Sequence, residues 1–103
     1  MISAVTFSDA EGLLRHKKGK NMNTRVALIG IVVENPDSVM ALNALLHAYG
    51  SYIIGRMGIP YKKRNISVVS IALDAPEDVI SALAGKLGML DGVSSKTVYA
   101  KIT

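Results

Sequence analysis

The stretch "VALIGIVVENPDSVMALNALL", residues 26–46, runs from an unbroken apolar segment through a Glu-Asn-Pro-Asp corner into apolar residues at helical spacing, and its plan recurs further along the chain. With a shift of 40 positions, Val26, Leu28 and Glu34 fall on Ile66, Val68 and Asp74, while Pro36, Asp37 and Val39 fall on Pro76, Glu77 and Val79. A repeat of strand, acidic proline corner and helix marks a duplicated supersecondary unit. Residues 25–34 and most of 66–73 are β-branched and aliphatic without a polar break, the composition of central strands. Each leads into a helix start. Asn35 is a good N-cap with Pro36 at the first helical position, and Pro76 followed by Glu77 and Asp78 repeats this with acids at the positive end of the helix dipole.

Outward from this repeat, the first helix places Val39, Leu42, Leu45, Leu46 and Tyr49 on one stripe, and the second does so with Ile80, Leu83, Leu87 and Leu90. Gly50 closes the first helix. Residues 52–57 read as a strand, Gly58-Ile59-Pro60 as a turn, and "YKKRN" as a polar connection into the repeat's second strand. Asp91-Gly92 leads into a last strand over 93–102. The order βαββαβ predicts an α+β, ferredoxin-like split βαβ domain: a four-stranded antiparallel sheet with two helices on one face. The domain occupies residues 23–103. Residues 1–22, with a helical pattern over 8–16 and an alternative start at Met22, form an N-terminal extension outside it.

A bare sheet face in a monomer should alternate apolar and polar residues. Here Ala27, Ile29, Ile31 and Val33 point one way, yet Val26, Leu28 and Val32 point the other, and Val69, Ile71 and Leu73 oppose Ile66, Val68 and Ala72. The second face is therefore expected to be buried in a homo-oligomer, a dimer or higher, with Gly30, Ser70 and Ala72 suited to the contact. Ala41, Ala44 and Ala48 on one helix and Ala82, Gly85 and Gly88 on the other predict stripes that let the helices approach closely. The rival reading of "GKLG" as a phosphate cradle lacks the spacing and the position at a helix start.

The 103 residues suffice for one domain, and the absence of cysteine excludes disulfides and thiolate metal sites. The formal net charge of +4 divides evenly, because Arg15, Lys17, Lys18 and Lys20 against Asp9 and Glu11 supply half of it, leaving the body near balance. Nucleic acid is thus an unlikely partner on composition, and "RHKKGK" reads as a solvated tail. No apolar run is long enough to span a bilayer as a helix, and the N-terminal charge order is the reverse of a secretory signal, so a cytoplasmic protein is expected. His16 and His47 stand without a ligand cluster, so neither a metal nor another cofactor is expected. Asp37, Asp74, Glu77, Asp78 and Asp91 are explained by caps and turns, which leaves no catalytic set and predicts a protein that is not an enzyme.

Residues that packing does not explain gather in 47–64. Arg56 interrupts an apolar strand between Gly55 and Gly58, which would allow close approach by a ligand or another chain. Its guanidinium suits a carboxylate or phosphate, an acid of a neighbouring subunit, or a plain edge position. The candidate ligand-binding residues are Asn35, His47, Arg56 and Gly58, for a small anionic effector.

The segments "LLHAYGSYIIGRMGIPY" (45–61), "ISVVSIAL" (66–73) and "ISALAGKLGMLDGVSSKTV" (80–98) resemble the iron-only hydrogenase system regulators, whose domain is similar to ACT domains and to the C-terminal domain of nickel-responsive repressors. The resemblance covers residues 23–103. It implies a ferredoxin-like fold, oligomerisation and a regulatory role tied to iron-only hydrogenase, through an effector, through a hydrogenase-maturation protein, or as a direct DNA-binding repressor. The histidines and cysteine of the nickel site are missing, and 22 residues are too few for a ribbon-helix-helix.

Overall fold

The computed structural model describes residues 5–7 and 23–101. Its elements are β1 (Val5–Phe7), β2 (Thr24–Val33), α1 (Val39–Ala48), β3 (Ile53–Tyr61), β4 (Ile66–Pro76), α2 (Glu77–Gly88) and β5 (Val93–Tyr99). The sheet order is β1-β3-β4-β2-β5, antiparallel throughout. The four strands β3-β4-β2-β5 with two helices are the ferredoxin-like α+β arrangement read from the repeat. A fifth strand joins them from the N-terminal segment: Val5 lies opposite Met57 and Phe7 opposite Gly55, occupying part of an edge whose N–H and C=O groups would otherwise be unpaired. The helical pattern over 8–16 lies outside the described residues.

The long central strands follow from the sequence. β2 and β4 pair over ten residues, from Thr24 opposite Pro76 to Val33 opposite Ser67. Their inward rows, with Ile29, Ile31, Ile71 and Leu73, are fully buried against Leu42, Leu46, Ile80, Leu83 and Leu87 of the helices. On the other side Leu28 is 47%, Val68 37% and Val98 62% exposed.

Three local expectations are corrected. Gly58-Ile59-Pro60 does not turn the chain. These residues continue β3, opposite Val69, Val68 and Ser67, and the reversal comes at Lys62–Arg64 with Asn65 in the left-handed region at φ 56°. Proline is tolerated there because β1 covers β3 only over 55–57, so no ladder bond is demanded on the outer side of Pro60. Pro76 ends β4 and serves as the N-cap of α2 with ψ 148°, rather than as the first helical residue.

The third correction concerns the small-residue stripes. Ala41, Ala44, Ala48, Ala82, Gly85 and Gly88 are all exposed, and a Cβ added at Gly85 or Gly88 would meet nothing within 4 Å. With Leu42 and Leu46, and Leu83 and Leu87, turned to the sheet, these positions rotate outward. Close helix packing is not what the glycines serve. Gly85→Ala is accordingly expected to raise stability by about 0.5–1 kcal/mol, the usual penalty of a glycine inside an exposed helix. Urea denaturation measures it, and a loss of stability would count against an open position.

Candidate functional site

The end of the sheet where β2 leaves for α1 meets the β3–β4 hairpin and carries two hollows. On the helix-covered side a cavity of about 100 Å³ has apolar walls from Val33, Pro36, Val39 and Pro60, with Lys62, Asn65 and Ser67 as polar groups. On the open side a shallow concavity of about 430 Å³ is bounded by Glu34, Tyr61, Arg64 and Ile66. Tyr61 and Ile66, paired across the hairpin, border both. The side assignment follows from alternation: Glu34 continues the row of Val32 and Leu28, and Ile66 that of Val68. Lys62, Lys63 and Arg64 are exposed on one 3-10 turn, so the hairpin tip presents three cations, with Arg64 and the acid of Glu34 bounding the same concavity.

The four residues expected to bind a ligand do not form one site. Asn35 is committed to a clasp between two chain corners. Its Oδ1 accepts from the Asp37 N–H at 3.0 Å and its Nδ2 donates to Asp91 Oδ2 at 2.7 Å. Ser38 Oγ donates to the Asp91 carbonyl at 2.6 Å, and the Glu34 N–H donates to the Gly92 carbonyl at 2.7 Å. The cap read from the sequence is present, and the same amide also locks the α2–β5 corner.

Arg56 stands opposite Ile71, on the helix-covered side at the sheet's flank. A bulge decides this. Ile53 pairs with Leu73 and Gly55 with Ala72, so Ile54 is the extra residue and every later side chain of β3 changes face. Arg56 Nη2 lies 3.4 Å from Asn43 Oδ1 of α1, a long hydrogen bond, and the residue is half-buried. Gly58 follows on the same side, and His47 is exposed one turn beyond Asn43 on α1. Arg56, Gly58 and His47 thus share the β3–α1 flank, apart from the clasp of Asn35. Glu34 and Tyr61 were missed in the sequence, where they read as a strand end and part of a polar connection, while Lys62, Lys63 and Arg64 stood out there only as the cations, with the basic tail, of a direct DNA-binding repressor; only the hairpin's true position brings Glu34, Tyr61 and Arg64 together.

Among the described residues, no group of three or more His, Cys, Asp or Glu could hold a metal ion, and no helix is long and apolar enough to cross a membrane.

The family model of the TM1266-like proteins, described as proposed regulators of the iron-only hydrogenase system, matches residues 25–97. Among solved structures, that of uncharacterized protein TM1266 from Thermotoga maritima is similar with a TM-score of 0.73 and 35% identity, covering 76% of this chain and 99% of that one. No functionally curated protein matches.

Proposed function

The chain belongs to the TM1266-like family of proposed iron-only hydrogenase system regulators, and from this membership we propose that it is a non-enzymatic regulatory module that senses a small anionic effector between subunits. The observation that carries the reading is the concavity bounded by Arg64 and Glu34. The guanidinium suits a carboxylate, and Glu34 accepts from a hydroxyl or amino group of the same molecule. Tyr61 offers a ring face to its carbon skeleton. The hollow is shallow and lies on the open side of the sheet, so a second subunit on that side would roof it. An effector gripped by two subunits strengthens their association by mass action, which converts metabolite level into assembly state.

Arg64 rather than Arg56 is the anchor in this reading, because Arg56 faces α1. The test is the melting temperature of the full chain titrated with malate, a hydroxy acid, and with inorganic phosphate. A saturable rise with malate is expected in the wild type and in Arg56→Met, and its loss in Arg64→Met. The same response in Arg64→Met as in the wild type, or no response in either, would refute the reading. Three adjacent cations at the hairpin tip also suit nucleic-acid phosphates, and that second reading requires duplex binding that falls steeply with salt.

A further inference from the structure

The helix-side row of β4 is aliphatic and buried at Val69, Ile71, Leu73 and Ala75, but it begins with Ser67. Ser67 lies between Val33 of β2 and Pro60 of β3, and its short side chain leaves a gap in the row that crosses the three strands. Pro36 and Val39, at the corner into α1, complete the walls of that gap, which is the cavity of about 100 Å³ on the helix-covered side. Val33, 1% exposed, forms its floor. Lys62 and Asn65 border it from the exposed hairpin tip. Among the described residues, the side chains of Lys62, Asn65 and Ser67 make no hydrogen bond or ion pair within the chain. One ammonium, one amide and one hydroxyl therefore stand unspent around an apolar hollow.

We infer that this cavity binds a short branched aliphatic carboxylate, at a site distinct from the concavity of the effector reading. The branched end fills the apolar part against Val33, Val39 and Pro60, while the carboxylate accepts from the Lys62 ammonium, the Asn65 amide and the Ser67 hydroxyl. Apolar walls with a few convergent polar groups are the usual constitution of a small-molecule site. An α-amino acid does not suit it. No residue around the cavity carries a carboxylate to meet the amino acid's ammonium, and Lys62 repels that charge.

Size narrows the ligand. An engineered apolar cavity of about 150 Å³ accepts a benzene ring, so a cavity of about 100 Å³ accommodates roughly four carbons, the isobutyl end of isovalerate. The surrounding chain is held in place before any ligand arrives. Pro36 and Pro60 have fixed φ, the Asn65 N–H donates to the Lys62 carbonyl at 3.1 Å, and the clasp of Asn35 and Ser38 secures the start of α1. A preformed hollow spares a small ligand the cost of ordering its site. The inference does not rest on the effector reading, because the two hollows share only Tyr61 and Ile66 and the anchor here is Lys62 rather than Arg64.

The experiment follows backbone amide chemical shifts of the full chain by NMR during titration with isovalerate, acetate and leucine. Isovalerate should give saturable shifts centred on the amides of Val33, Val39 and Ser67, with a dissociation constant in the millimolar range, as so small a ligand allows. Acetate, which lacks the branched end, should bind about tenfold or more weaker, and leucine at least as weakly as acetate. Lys62→Met keeps the stem at an exposed position and should weaken isovalerate about fivefold or more. Ser67→Leu fills the gap and should abolish binding; Lys62→Met decides the question should Ser67→Leu fail to fold. Arg64→Met should bind isovalerate as wild type does, although it loses the malate response, so the two readings fail separately. No saturable shift in wild type overturns the inference, and so does leucine or acetate binding as tightly as isovalerate. Undiminished affinity in Lys62→Met, or loss of isovalerate in Arg64→Met alone, overturns it equally and would place the ligand in the other hollow.

Discussion

Gly92→Ala is expected to destabilise the protein by about 2–5 kcal/mol, combining roughly 1–2 for a left-handed backbone carrying a Cβ with roughly 1–3 for the overpacking it causes. Gly92 has φ +69°, and an added Cβ would come within 2.6 Å of Asn35 Cβ and 2.9 Å of Asn35 N. Neither atom can retreat cheaply. The backbone of the next corner is tied to the glycine itself through the Glu34 N–H donating to its carbonyl at 2.7 Å, and the Asn35 side chain is held by Asp91 and by the Asp37 N–H. Urea denaturation of Gly92→Ala and Gly92→Asn separates the two causes. Asparagine tolerates the left-handed region but keeps the clash, so it should recover only part of the loss. Gly50→Ala, where an added Cβ meets nothing within 4 Å, is the control and should stay near wild type. Wild-type stability in Gly92→Ala would show that the clasp yields.

The same clasp shows which features the residues made legible. The repeat at a 40-residue shift, the continuous apolar strands and the proline corners specify two βα units and their sheet, because these signals are local and periodic. Asn35 was visible as a cap for the same reason; its second bond, to Asp91 on the far corner, has no local signature. Gly58-Ile59-Pro60 carries turn residues, yet pairing with Val69, Val68 and Ser67 outweighs that preference. Propensity gives way to a ladder of backbone bonds.

The bulge at Ile54 had the largest consequence for the site. Without it the regular register would place Arg56 opposite Ser70, on the open face; one extra residue sends it to the helix side and to Asn43. The adjacent Gly55 is the kind of residue that marks bulges, but a glycine alone does not say which way the strand slips. The helix glycines failed for a related reason. Composition announces small residues, while only the orientation imposed by the buried leucines says that Gly85 and Gly88 face outward.

Ile71→Ala is expected to cost about 3–4 kcal/mol, within the usual range for truncating a fully buried aliphatic side chain and leaving a cavity. Ile71 is 0% exposed in the middle of β4, flanked by Ile29 on β2 and Arg56 on β3. Its loss should not depend on protein concentration, because the helices cover that row within one chain. Val68→Ala, on the opposite side of the same strand and 37% exposed, should behave differently. In dilute solution it should cost well under Ile71→Ala, since much of its surface is already wet in the monomer. The apolar residues of the open face predict association there, in which case the unfolding midpoint of wild type should climb with concentration by mass action while that of Val68→Ala climbs less. The gap between these two proteins then grows with concentration, whereas the gap between wild type and an equally dimeric Ile71→Ala holds steady. Chemical denaturation across a hundredfold dilution series reads both. An Ile71→Ala loss below about 1 kcal/mol would contradict a core on the helix side, and a Val68→Ala gap that ignores concentration would contradict association through the open face.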